Sequence, residues 1–97
     1  MEIRFLEAAQ HELDEAVDHY NNESPGLSNE FLVEILKVLD RIHDYPDAWH
    51  PFSEDTGRCR TRRFPYAVVY EVQPDQILVV AVMHLHRSPD YWRGRSR

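Results

Sequence analysis

The chain has 97 residues, 42 % of them apolar and 29 % charged, with a formal net charge of -6 and a single cysteine. That length supports one small domain, residues 1–97, with one modest core. One cysteine excludes an intramolecular disulfide and a thiolate-rich zinc site; no run of 18 apolar residues offers a membrane span, no signal-peptide pattern is present, and the expectation is a soluble, cytoplasmic domain.

In chain order, "EIRFL" alternates Ile3 and Phe5 with Glu2 and Arg4, which at period two predicts a short strand with one buried face. From Glu7 the period changes. Ala9, Leu13, Ala16, Val17 and Tyr20 fall at helical spacing, with Glu12, Asp14, Glu15 and Asp18 assigned to the solvent side, and the helix ends near "NNES". Ser24 as N-cap and Pro25 at the first helical position predict the start of a second helix. Leu27, Phe31, Ile35, Val38, Leu39 and Ile42 line its apolar face, widened by Leu32 and Leu36, and Tyr45-Pro46 ends it. A face this broad leaves a homodimer open.

A polar loop over residues 46–55 carries Trp49, Pro51 and Phe52, either a lid over the core or a contact for a partner. After it the period returns to two. Arg58, Arg60, Arg62 and Phe64 alternate with Cys59, Thr61 and Arg63, so a strand here projects three arginines from one face, with Cys59 half-buried between them. Phe64-Pro65 marks a bend or strand edge. "YAVVYEV" and "QILVVAVMHL" read as two further strands joined by a turn at "QPDQ", with Tyr66 and Tyr70 packed on a core face. The apolar run over 77–83 predicts a central strand covered on both faces. The expected fold is α+β in the order β-α-α-β-β-β, an antiparallel sheet with a two-helix hairpin on one face.

The charge is uneven. Residues 1–55 hold 14 acids against 3 basic residues, while residues 56–97 hold 8 arginines against 3 acids. Such asymmetry fits a polyanion-binding surface, or two parts of one fold that neutralise each other. Four arginines fall within the six positions 58–63. As a surface they admit three roles: a solvated face that deters edge pairing, a docking site for an acidic protein segment, or contact with phosphate.

Taken in order, these segments resemble a known family over nearly the whole chain. The helices "AAQHELDEAVDHYN" and "SPGLSNEFLVEILKVLDRIHDYP", the strand entry "RRFPYAVVYEV" and the ending "ILVVAVMHLHRSPDYWRGR" are similar to the RelE/ParE superfamily of type II toxin-antitoxin toxins. The ending carries Val82, His84, Arg87, Pro89, Tyr91, Trp92 and Arg95, and its "RxPxYW" pattern is closer to ParE-like and plasmid-stabilisation members. The resemblance implies a prokaryotic toxin held inactive by a cognate antitoxin. ParE-like members poison DNA gyrase without catalysis of their own; RelE-like members enter the ribosome and cut mRNA; a third possibility is a non-toxic module that only binds antitoxin.

A metal-free ribonuclease needs a base, a cation near the phosphate and an acid for the leaving oxygen. Arg62, Arg63 and Arg87 can meet phosphate, His84 or His86 can shuttle a proton, Glu54 can serve as base, and Tyr91 as acid. Against that chemistry stand the net charge and the single lysine, Lys37, which equip the chain poorly for rRNA. For antitoxin or target binding the expected residues are Arg58, Arg60, Arg62, His86, Arg87, Tyr91 and Trp92. Trp92 and Tyr91 are expected to fold the tail back onto the sheet, or to form a partner's hot spot if exposed. His84 and His86 share a strand face but lack a third ligand, so no metal or cofactor is expected. His84 reads as a strand-end residue bonded locally; His11, His19, His43 and His50, with Asp90, Arg93, Arg95 and Arg97, read as surface residues.

Overall fold

The computed structural model describes residues 1–49, 51 and 56–95. Phe52, Glu54, His50 and Arg97, given roles or placements above, lie outside the described residues. The order is β1 (Glu2–Phe5), α1 (Glu7–Glu23), α2 (Leu27–Asp44), β2 (Thr56–Arg60), β3 (Tyr66–Val72) and β4 (Gln76–His84). The sheet runs β1-β4-β3-β2. β2, β3 and β4 are antiparallel as expected, whereas β1 pairs in parallel with the first half of β4, Ile3 opposite Ile77 and Phe5 opposite Val79. The helical hairpin separates β1 from the other strands in sequence and returns the chain to the far edge, so β1 meets β4 in the same direction.

The helices are joined by Ser24, Pro25 and Gly26. The expected N-cap at Ser24 is not formed. Its backbone N–H instead closes α1 on the Tyr20 carbonyl at 3.2 Å, and Gly26, at φ 86°, reverses the chain and flanks the start of α2. A left-handed residue is needed within this tight connection, and glycine adopts it without a Cβ clash. α2 buries Phe31, Ile35, Val38 and Ile42 almost completely, each contributing about 1.5–3 kcal/mol on leaving water. Its apolar stripe is narrower than expected: Leu32 is half-buried, but Leu36 is 60 % exposed, because the sheet reaches only the Phe31–Val38 side of the helix.

Two clusters sandwich the sheet. The helix side gathers Ala9, Ala16, Tyr20, Phe31, Phe64, Val68, Tyr70, Ile77, Val79 and Val82. Trp49 packs against this cluster, which favours the lid reading of the loop. The opposite side gathers Ala67, Val69, Leu78, Val80, Ala81 and Met83 beneath Trp92 of the C-terminal tail, so β4 is covered on both faces. Val80 and Ala81, although consecutive, both join that second cluster. The register explains it: Val69 faces Ala81 and Tyr70 faces Val79, leaving Val80 as a bulged residue with no partner on β3.

Close approach at one point fixes the β2–β3 spacing. A Cβ at Gly57 would lie 2.5 Å from the Tyr70 ring. Tyr70, wholly buried, donates its hydroxyl to the Pro46 carbonyl and ties the chain after α2 to the sheet. Among the described residues no helix is long and apolar enough to cross a membrane.

Candidate functional site

β1 ends at Phe5, where the Leu6 N–H makes a last bond to the Val79 carbonyl at 3.0 Å. Beyond that point β4 continues to His84 with β3 on one side and no strand on the other. Exposed edge groups of this kind need partners. Here side chains supply them. The Val82 N–H donates to Glu12 Oε1 at 3.1 Å, and the Val80 carbonyl accepts from Arg95 Nη1 at 3.1 Å.

Glu12 is the centre of the arrangement. Besides the Val82 amide, its carboxylate accepts the Tyr91 hydroxyl on Oε2 at 2.6 Å and both Arg95 nitrogens, Nη1 to Oε1 at 2.8 Å and Nη2 to Oε2 at 3.3 Å. Arg87 Nη1 lies 3.6 Å from Oε2. The Glu12 side chain is only 12 % exposed. The Tyr91 ring meets two guanidiniums, Arg87 at 3.8 Å and Arg95 at 5.0 Å from the ring centroid. Burial, then the hydrogen bond to Glu12, push the Tyr91 phenol well above its ordinary value, so its proton stays in place.

Two sequence expectations are corrected here. Glu12 does not sit on the solvent side of α1, and Arg95 is not a solvated tail residue. Glu12 lies three residues after Ala9 and four before Ala16, both fully buried, so it stands on the flank where small residues let β4 approach. That spacing was the available signal. For Arg95 the signal was its place among the motif residues of the ending, which sets it apart from Arg93, an exposed residue that pairs within its own turn with Asp90 at 4.0 Å.

The arginine segment is split by a turn. β2 stops at Arg60, and Thr61 turns inward, its hydroxyl donating to the Phe64 carbonyl at 2.8 Å and its N–H to the Tyr66 carbonyl at 2.9 Å. Arg58 and Arg60 face Val69 and Ala67 across the ladder and so project on the side away from the helices. Arg62 does not share a strand face with them; it stands on the following turn, where Arg63 takes φ 70°. Arg63 leaves the group altogether and reaches Glu30 of α2 at 3.3 Å. Arg60 and Arg62 are exposed with no partner among the described residues. The acidic first half and the arginine-rich second half thus meet through Glu12 and Glu30, while two arginines keep their charge for solvent or a partner.

At the same end of the sheet, Leu85 N–H bonds the Pro65 carbonyl at 2.8 Å, and Tyr66 faces His84 across the ladder. His84 Nδ1 accepts the His86 N–H at 3.1 Å, the local bond expected of a strand-end residue. Burial, then the nearby His86 and His19, lower its basicity. No three His, Cys, Asp or Glu side chains among the described residues cluster as a metal site would require. Trp92 is buried on the second sheet face and Tyr91 half-buried, so the tail folds back as expected, and Trp92 is not presented as a surface hot spot.

A family model described as the ParE toxin of the type II toxin-antitoxin system parDE matches residues 3–89. Among solved structures, the chain is similar to the chromosomal ParDE toxin-antitoxin system from P. aeruginosa, with a TM-score of 0.76 at 14 % identity, over 89 % of this chain and 97 % of that one. At that identity the likeness speaks for the fold. Among curated proteins no match is found.

Proposed function

The chain belongs to the ParE toxin family of type II toxin-antitoxin systems, and from that premise we propose that it binds and poisons DNA gyrase in the cytoplasm until a cognate antitoxin neutralises it. The observation that carries this reading over RNA cleavage is the engagement of Tyr91 and Arg87 with Glu12. A phenol that keeps its proton and donates it in a 2.6 Å hydrogen bond to a carboxylate is a poor acid for a leaving oxygen, and a guanidinium facing that carboxylate is partly neutralised toward phosphate. A net charge of -6 with one lysine also disfavours a ribosomal docking surface. For the antitoxin, Arg60 and Arg62, which have no partner among the described residues, with Arg58 beside them, suit an acidic segment whose charges find complements at the sheet edge.

Purified protein added to gyrase and relaxed plasmid should block supercoiling and accumulate cleaved DNA, while mRNA in a cell-free translation reaction keeps its original 5' ends. New ribosome-dependent ends would overturn the reading in favour of a nuclease. No effect on either reaction, together with unimpaired growth on expression, would leave an antitoxin-binding module.

A further inference from the structure

β4 ends in a histidine that closes the turn after it. His84 Nδ1 accepts the His86 main-chain N–H at 3.1 Å, and the His84 carbonyl accepts the Arg87 N–H at the same distance. An amide donates only to a ring nitrogen that carries a lone pair, so in this arrangement His84 is neutral with its own proton on Nε2. A protonated imidazole has an N–H at both nitrogens and accepts nothing. The bond to the His86 amide therefore exists in one protonation state of His84 and not in the other.

The charged and titratable groups that face this ring come from three elements. α1 brings Glu12, Glu15 and His19 to an open cavity of about 280 Å³ that His84 and Arg87 also line. β3 sets the Tyr66 ring edge-on at 5.1 Å, and the tail sets the His86 ring at 4.8 Å. Glu12 is taken up by its bonds to Val82, Tyr91 and Arg95, and Glu15 meets His11 at 2.6 Å. Burial, then His86 and His19, oppose a positive charge on the His84 ring.

We propose that His84 is a proton-operated latch on the turn from His84 to Arg87: neutral, it holds the His86 amide; protonated, it releases that amide and the turn loosens. Arg87 is mounted on this turn, its guanidinium 3.6 Å from Glu12 and 3.8 Å from the Tyr91 ring centroid. Acid thus loosens the mounting of a residue expected to meet a partner. The ring's basicity in the folded chain lies below the ordinary 6.5, so the unfolded chain takes up the proton first; the latch contributes its full stability above 6.5 and loses it as pH falls below that value. The device stands on the geometry of the turn and is independent of the cellular target.

The test is nuclear magnetic resonance on purified protein, titrated from about pH 8 to about pH 5, across the range in which histidine changes charge. In wild type at the alkaline end, the His84 ring should carry its proton on Nε2 and none on Nδ1. His86→Ala removes the titrating side chain at position 86 but keeps its amide, and His84→Asn/His86→Ala substitutes an acceptor that does not titrate. In His86→Ala the amide proton of residue 86 should shift with the midpoint of the His84 ring itself, and its protection against solvent exchange should fall by roughly two- to tenfold, the worth of one hydrogen bond. The double variant should show neither change. A proton on Nδ1 of wild-type His84 at the alkaline end would overturn the latch whether or not the variants fold. So would a residue 86 amide that ignores the His84 titration, or a double variant that still responds to it.

Discussion

The Tyr91 hydroxyl donates to the Glu12 carboxylate at 2.6 Å across 79 positions of sequence, and together with the Arg95 bonds to the same carboxylate it joins the first helix to the tail that covers the far face of the sheet. Hydrogen bonds to charged groups contribute about 1.5–3 kcal/mol. Tyr91→Phe should therefore lower the unfolding free energy by roughly that amount. Glu12→Ala, which also strands Arg95 and the Val82 amide, should cost about 3–5 kcal/mol. Urea midpoints of the two variants check both values, and equal losses would show that Tyr91 is the only partner that matters.

Gly57→Ala should destabilise the chain by about 1–3 kcal/mol or more, because its Cβ would lie 2.5 Å from a ring that is itself fully buried. The ring cannot retreat without breaking its bond to the Pro46 carbonyl. Thermal melts of Gly57→Ala and of Gly57→Ala/Tyr70→Leu separate the causes: the smaller side chain should recover part of the loss if the clash is the reason.

Burial, with smaller contributions from Cys59 and Asp47, pushes the Tyr70 phenol from 10 up to about 12. Between those values the unfolded chain has released this proton and the folded chain still holds it, so the unfolded state binds fewer protons and stability falls as pH rises. The contribution is complete below pH 10 and about 2–3 kcal/mol is gone by pH 12. Denaturation midpoints measured from pH 9 to 12 should decline, and Tyr70→Phe should flatten the decline. The residual slope belongs to Tyr91, Tyr20, Tyr66 and the Cys59 thiol, all of which burial raises in the same direction.

Charge reversal at Arg60 and Arg62 should leave the unfolding free energy within about 0.5 kcal/mol of wild type, since both are exposed and partnerless among the described residues. The same double reversal should weaken antitoxin binding, most of all at low salt, where surface charges are least screened. Surface plasmon resonance at two ionic strengths measures this. Unchanged affinity at both would place the antitoxin elsewhere on the molecule.

Much of this architecture was legible in the residue pattern because burial writes a period into the chain. The α2 stripe through Phe31, Ile35, Val38 and Ile42 and the apolar run of β4 follow from it, while the tail folding at Trp92 was expected from the two aromatics that follow Pro89. Period two reports which face is buried and says nothing about direction, so the parallel course of β1 was not readable. It also continues through Arg62 by coincidence of composition. What ends β2 is the Thr61 hydroxyl, which binds two carbonyls of the following turn. Glu12 was missed for a different reason: a charged residue on an amphipathic helix is assigned to water unless its partners are known, and those partners lie at the other end of the chain. Ser24 shows the same limit, since its capping chemistry suited α2 while its backbone was taken by the end of α1.

The pairing of Ile3 with Ile77 and of Phe5 with Val79 sets the timetable of folding. During synthesis β1 and the helical hairpin emerge first, yet the strand that floors both clusters is the last one made. A nascent chain stopped short of Gln76 has no β4 on which α1 can settle and no edge for Glu12 to cap. Closing contacts across most of the chain is slow relative to forming local helices. The sheet therefore closes only after β4 has left the ribosome, and products terminated before Gln76 carry the helices without the strand on which they settle.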